Sequence, residues 1–198
     1  MATETDDSFR SHLTLHHQAL KSVEQNLDPL IHQAVEMIVA CFESDGKLLI
    51  MGNGGSASDA QHFAAELVGR YRAERDGLPA IALTTDSSIL TAVGNDYGFE
   101  QIFARQVEAL ARPEDLVVVL STSGNSGNVV AAVRAANEIG CRSIGLLGRD
   151  GGALSALVDL PLIIPVESTA VVQEMHILLI HLLCEAVDHH DFERRERS

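Results

Sequence analysis

The chain falls into two regimes of apolar and polar positions. Over residues 9–26 and 29–43 the apolar side chains recur at three- and four-residue intervals: Leu13, Leu20 and Val23 in the first segment, then Leu30, Ile31, Ala34, Val35, Ile38 and Phe42. That period predicts two amphipathic helices, with Asp28 before Pro29 read as an N-cap followed by a first-turn proline. After Asp45-Gly46 come short apolar runs that end in small polar residues: Lys47–Met51, Ala80–Leu83, Leu116–Leu120, Ser143–Leu147 and Leu162–Ile164. None alternates cleanly, as expected for strands of a parallel sheet covered on both faces. Helical spacing returns over Ser56–Tyr71, Phe99–Ala111, Ser126–Ile139 and Thr169–His189. Strand and helix alternate, so the expected class is α/β: a three-layer αβα sandwich with right-handed crossovers, preceded by an N-terminal helical hairpin. No repeat or linker divides residues 1–198, so one domain is expected, with helices over 9–44, sheet and helices over 47–189 and a frayed charged tail over 191–198.

Charge narrows the function. With 28 Asp+Glu against 14 Lys+Arg the 198-residue chain carries −14, which argues against nucleic-acid binding because neutralising phosphates takes a basic face. No apolar run approaches the roughly 18–20 residues of a membrane span, and Met1 to Arg10 lacks a signal-peptide plan, so no membrane partner and a cytoplasmic location are expected. Cys41, Cys141 and Cys184 are widely spaced inside apolar stretches and read as core thiols.

The chemistry-bearing residues cluster after the strands. Strand one runs into Gly52-Asn53-Gly54-Gly55-Ser56-Ala57, where glycines permit a sharp turn and a new helix offers unpaired N–H groups to an anion. Gly52, Gly54 and Ala57 also match a dinucleotide fingerprint, with Asp86 as its acid, but that acid should lie about 20 residues on, and Asp86 comes later. The third strand ends in Ser121-Thr122-Ser123-Gly124-Asn125-Ser126, a set of neutral hydroxyls at a helix start that reads as a monophosphate cradle. It lacks the Lys-Ser/Thr pair of a nucleotide-triphosphate loop, and capping of the helix by Ser126 would account for only one hydroxyl. His62 and Glu66 share a helix face that Arg70 is expected to continue. The last helix carries Gln173, Glu174, His176 and His181 among aliphatic residues, where polar groups need partners. Gln173 and His181 are two turns apart, a spacing that does not by itself pair them. His12, His16, His189 and His190 read as surface residues.

Together, Gly52–Ala60, His62–Leu67, Gly94–Tyr97, Ser121–Ser126, Gly151-Gly152 and Gln173–His176 through His181 resemble the phosphoheptose isomerase family of the sugar-isomerase (SIS) domain superfamily. The resemblance implies a five-stranded parallel sheet in the flavodoxin-like SIS fold and a homotetramer with active sites at subunit interfaces. It implies one zinc ion per site, held by His62, Glu66, Gln173 and His181. It places substrate contacts at Asn53, Gly54, Gly55, Glu66, Asn95, Asp96, Ser121, Thr122, Ser123, Ser126 and Gln173. The implied reaction converts sedoheptulose 7-phosphate to D-glycero-D-manno-heptose 7-phosphate through an enediol, with Glu66 and His181 as the acid/base pair. Val171-Val172 departs from the basic residue and Ile usual before the Gln-Glu pair, Leu147 stands for a common threonine, and Asp76 for a frequent proline. The alternative is a non-catalytic SIS protein that binds the DnaA replication initiator. Relatives of that kind lack the acid/base pair that Glu66 and His181 supply here. A sugar-phosphate-sensing regulator is disfavoured because no DNA-binding segment accompanies the domain.

Overall fold

In the computed structural model, which describes residues 4–190 and 192, five parallel strands form one sheet in the order β2-β1-β3-β4-β5. They are β1 (Leu48–Gly52), β2 (Ala80–Ala82), β3 (Leu116–Ser121), β4 (Arg142–Gly148) and β5 (Leu160–Ile164). This is the flavodoxin-like order, whose chain reversal beside β1 opens a crevice at the carboxyl ends of β1 and β3. Gly52 is level with Leu120 and Ser121 with Leu147, so the loops that follow these strands leave the sheet at one height.

Among the described residues seven α-helices flank the sheet: α1 (Glu4–Asn26), α2 (Asp28–Glu43), α3 (Gly55–Val68), α4 (Ser87–Asp96), α5 (Ala104–Leu110), α6 (Gly127–Ile139) and α7 (Thr169–Asp188). Alternate strand residues feed opposite layers. Leu48, Ile50, Leu116, Val118 and Leu146 pack with Phe42, Phe63, Leu179 and Leu183 on the side of α1, α2, α3 and α7. Leu49, Met51, Val117, Val119 and Leu147 pack with Val107, Val129 and Val133 on the side of α5 and α6. Both faces are apolar, which is why the strands read as unbroken runs.

Several boundaries differ from expectation. Leu27, not Asp28, occupies the N-cap position of α2; it is near-helical (φ −102°, ψ −11°) and Asp28 lies in the first turn beside Pro29. Leu27 N bonds Val23 O at 3.0 Å and Ile31 N bonds Leu27 O at 2.8 Å, so α1 meets α2 in a one-residue bend instead of a loop. The helix expected to reach Tyr71 stops at Val68, and Gly69 ends it. The one expected over Phe99–Ala111 divides into a 3-10 turn (Phe99–Gln101) and α5. Helix α4 was not expected: Asp86 starts it by accepting from Ile89 N at 2.9 Å, so the acid weighed for a dinucleotide is a helix cap.

The three cysteines are free and buried. Burial pushes the thiols of Cys41 and Cys184 up to about 12 and that of Cys141 to about 11, which keeps them protonated and unreactive. Helix α7 is long and apolar enough on average to cross a membrane, but half of that stretch is buried inside the fold, where it is the central helix of one layer. Apart from Phe192, the charged tail over 191–198 lies outside the described residues.

Candidate active site

The crevice is assembled from two parallel helices and two loops. Chain leaving β1 turns through Asn53 and Gly54, whose φ of +59° lies in the left-handed region that favours glycine, and enters α3. Gly55 has no room for a side chain, since a Cβ there would lie 2.8 Å from Gln173 Cδ. The Gln173 amide is therefore seated on the glycine loop. Seven residues along α3 is His62, and eight residues along α7 is His181; their Nε2 atoms are 3.0 Å apart. Glu66 Oε1 lies 3.5 Å from His62 Nε2. Near-equal spacing on the two helices means that α3 and α7 run side by side, touching at Gly55/Gln173 and again at His62/His181. Side chains on a helix lean toward its N-terminus, so both imidazoles tilt up toward the glutamine.

Helix α7 is anchored at both ends. Near its start Glu174 takes His12 Nε2 on Oε1 at 2.8 Å and His16 Nδ1 on Oε2 at 2.7 Å. His12 and His16, expected as unpartnered surface residues, thus lash α1 to α7 with a carboxylate from across the fold. Partial burial alone would raise the Glu174 carboxyl, but the bonds from His16 and His12 outweigh it and hold the group below its ordinary value. At the far end Asp188 Oδ2 accepts from Arg72 N at 2.7 Å and Ala73 N at 2.9 Å, and Oδ1 from Arg75 Nε at 2.8 Å. Arg75 also donates to the carbonyls of Leu67 and Glu66 at the end of α3. This clasp holds Tyr71 against His181, with ring centroids 5.5 Å apart and planes at 26°. Arg70, beyond the end of α3, does not continue the His62–Glu66 face; it pairs with Glu74 at 3.4 Å.

The hydroxyl loop is partly self-closed. Ser121 Oγ and Ser126 Oγ meet at 3.2 Å, and Ser121 Oγ accepts from Gly124 N at 3.1 Å. Ser123 Oγ accepts from Asn125 N at 3.2 Å, while Thr122 is half-buried beside them. Ser126 occupies the N-cap position of α6 without capping it, which leaves the first-turn N–H groups with no side-chain acceptor. Asn53 and Asn128 exchange two amide bonds of 2.8 Å each, tying the glycine loop to the start of α6. Asn128, 2% exposed, was not singled out by motif, although its place in the polar run after β3 was a usable signal. Tyr71 gave none beyond closeness to the motif helix. Asn95 and Asp96, at the exposed end of α4, bond each other at 2.7 Å and reach none of the other candidates by hydrogen bonds.

Among the described residues no group of three or more His, Cys, Asp or Glu side chains is placed so that it could hold a metal ion by itself. His62, His181, Glu66 and Gln173 supply two imidazole nitrogens and two oxygen donors, donor types that suit zinc. Behind His62, Asp59 Oδ2 is buried with no hydrogen-bond partner. Burial raises the Asp59 carboxyl, and the charge of His62 opposes the rise.

Comparison with known proteins places this geometry. The SIS domain model matches residues 13–148. A phosphoheptose isomerase of Geotalea daltonii is 55% identical over 189 residues, which cover 96% of this chain and 98% of that protein. One from Helicobacter pylori is 51% identical over 93% of this chain and 96% of its own length. Among solved structures, phosphoheptose isomerase from Neisseria gonorrhoeae superposes with a TM-score of 0.88 at 47% identity, covering 93% of this chain and 98% of that one. The Francisella tularensis enzyme gives 0.89 at 41% identity, covering 96% and 100%. Sequence, fold and full-length coverage agree: the chain belongs to the phosphoheptose isomerase family of SIS-domain enzymes.

Proposed function

We propose that the chain interconverts sedoheptulose 7-phosphate and D-glycero-D-manno-heptose 7-phosphate. The carrying observation is the meeting of the Glu66 carboxylate and the His181 imidazole around His62, on the helix that the glycine loop opens and on its neighbour α7. The phosphate sits on the open N-terminus of α6 among Ser121, Thr122, Ser123 and Ser126. Asn53, Gly54, Gly55 and Gln173 orient the sugar hydroxyls, and Asn95 and Asp96 close over them. Glu66 takes a proton from C1 of the open-chain ketose and returns it to C2 of the enediol, while His181 moves a proton between the oxygens on C1 and C2. The bonds broken and made balance, with no net redox change.

His62, Glu66, Gln173 and His181 would hold one zinc ion, which when bound supplies positive charge to the oxygen that becomes anionic. Helix α4 carries Asn95 and Asp96 yet has no buried residue, and Ile89, Tyr97, Phe99, Phe9 and Leu13 stand exposed. Apolar surface of that kind supports a homotetramer in which a neighbouring copy covers each site. We assign the work to the cytoplasm, where sugar phosphates are made.

Incubation of the purified protein with sedoheptulose 7-phosphate, read by NMR of the aldose product with and without a chelator, tests the assignment. Glu66→Gln and His181→Gln should each lower kcat by at least ~10²-fold with an unchanged circular dichroism spectrum. Wild type that stays inactive with added zinc but captures a replication initiator would overturn the isomerase reading.

A further inference from the structure

Metal-binding histidines are normally fixed by a second hydrogen bond, in which the ring nitrogen facing away from the site donates to a carboxylate or carbonyl. His181 has no such bond: among the described residues, its imidazole hydrogen-bonds only to His62 Nε2. The ring torsion of a histidine is broad, so one contact leaves its plane poorly defined. What the structure supplies in place of the missing bond is a flat surface. Tyr71 lies on the His181 ring with centroids 5.5 Å apart and planes at 26°, and the guanidinium of Arg72 stands 5.1 Å from the Tyr71 ring centroid.

Tyr71 itself lies outside any helix or strand, α3 having ended at Val68 and β2 beginning only at Ala80, and its ring packs partly buried against the core on the α2, α3 and α7 side. The loop that carries it is fastened by Asp188, which binds two backbone N–H groups and Arg75, and by Arg75 bonding back to the Leu67 and Glu66 carbonyls. The side chains of this ion pair are 12% and 4% exposed, so the loop is fastened by a desolvated contact. Asp188 lies on α7, seven residues after His181. One helix therefore carries both the imidazole and the anchor of the loop that covers it.

We propose that Tyr71 is a positioning residue that sets the plane of the His181 imidazole by stacking, and that the Arg75–Asp188 clasp exists to hold it there. The proposal rests on the isomerase reading for its kinetic part and on the donor set for its binding part. Losing an outer contact of this kind costs roughly 10–100-fold in metal affinity or activity.

The test compares wild type with Tyr71→Ala and Tyr71→Phe, measuring zinc affinity by competition with a chromophoric chelator and kcat and KM on sedoheptulose 7-phosphate. Tyr71→Leu replaces Ala if that variant melts early, because it keeps apolar bulk without a flat face. The expected result is zinc binding about tenfold weaker and kcat about tenfold lower in the Ala or Leu variant, with KM changed less than twofold. Tyr71→Phe, which keeps the ring, should restore both quantities. Unchanged zinc affinity in the Ala or Leu variant, or a Phe variant as impaired as either, overturns the proposal. If wild type binds zinc but does not isomerise the heptose phosphate, the functional reading fails while the affinity comparison still decides the role of Tyr71.

Discussion

Helix α7 holds a histidine that should make the fold sensitive to acid. His176 is completely buried, and neither ring nitrogen has a partner in good hydrogen-bonding geometry. Burial pushes the imidazole down from 6.5 to about 4, an effect the polar backbone of Leu147 only partly counters. The unfolded chain takes up a proton below about pH 6.5, whereas the folded chain resists until about pH 4. Stability is therefore complete above pH 6.5 and lost as pH falls through that window, at a slope approaching about 1.4 kcal/mol per pH unit and roughly 3 kcal/mol in all. His176→Met fills similar space with a group that does not titrate. Urea unfolding of both proteins at one protein concentration, at intervals between pH 7.5 and 4.5, isolates the contribution of His176 as the difference between two curves. The variant should gain on wild type steadily below pH 6.5, by about 2 kcal/mol or more at pH 4.5. Parallel curves would refute the assignment of a buried, unprotonated His176.

Three further outcomes follow from the geometry. Gly55→Ala forces the Gln173 amide off the glycine loop, so it should lower kcat/KM by at least ~10-fold in steady-state assays with little change in Tm. Asp188→Asn removes the charge from a buried pair and should cost about 1–3 kcal/mol in urea unfolding at pH 7. Because its carboxyl is held below the ordinary value despite the opposing effect of burial, by bonds from Arg72, Ala73 and Arg75, the deficit should shrink as acid protonates the wild-type group. Finally, a chain of charge −14 repels an anionic substrate only at long range, and binding through hydroxyls and N–H groups is local. KM should therefore change less than about threefold between 50 and 300 mM salt, where a steering field of lysines and arginines would produce a steep dependence.

What could be read from the residues depended on burial. The strands were legible because each is apolar on both faces, and the observed ends fall within two residues of the expected ones. Helix α4 was not, because it is ten residues long and rests on the core through little more than Leu90 and Val93, too short a stripe to set the period. The overrun of α3 to Tyr71 has a related cause: Val68 and Tyr71 continue the apolar spacing past Gly69, although Tyr71 serves the site and not the helix. Motif residues on one element, such as His62 and Glu66, were visible as a pair. Partners from distant elements were not, and the His12–Glu174–His16 bridge spans a separation of about 160 residues that no local pattern encodes. Gln173 and His181 looked unrelated by spacing until α3 supplied a second rod of matching interval, with Gly55 and His62 as its rungs.

The two apolar layers also divide the labour of the crevice. Helices α3 and α7, with His62, Glu66, Gln173 and His181, belong to one face of the sheet, while α6, which opens from the hydroxyl loop, belongs to the other. A sugar phosphate that uses both has to straddle the rim of the sheet, its anionic end on one flank and its carbonyl on the other. The sheet then acts as a ruler. A shorter sugar phosphate reaches one flank at a time, so it should compete with the heptose phosphate instead of turning over.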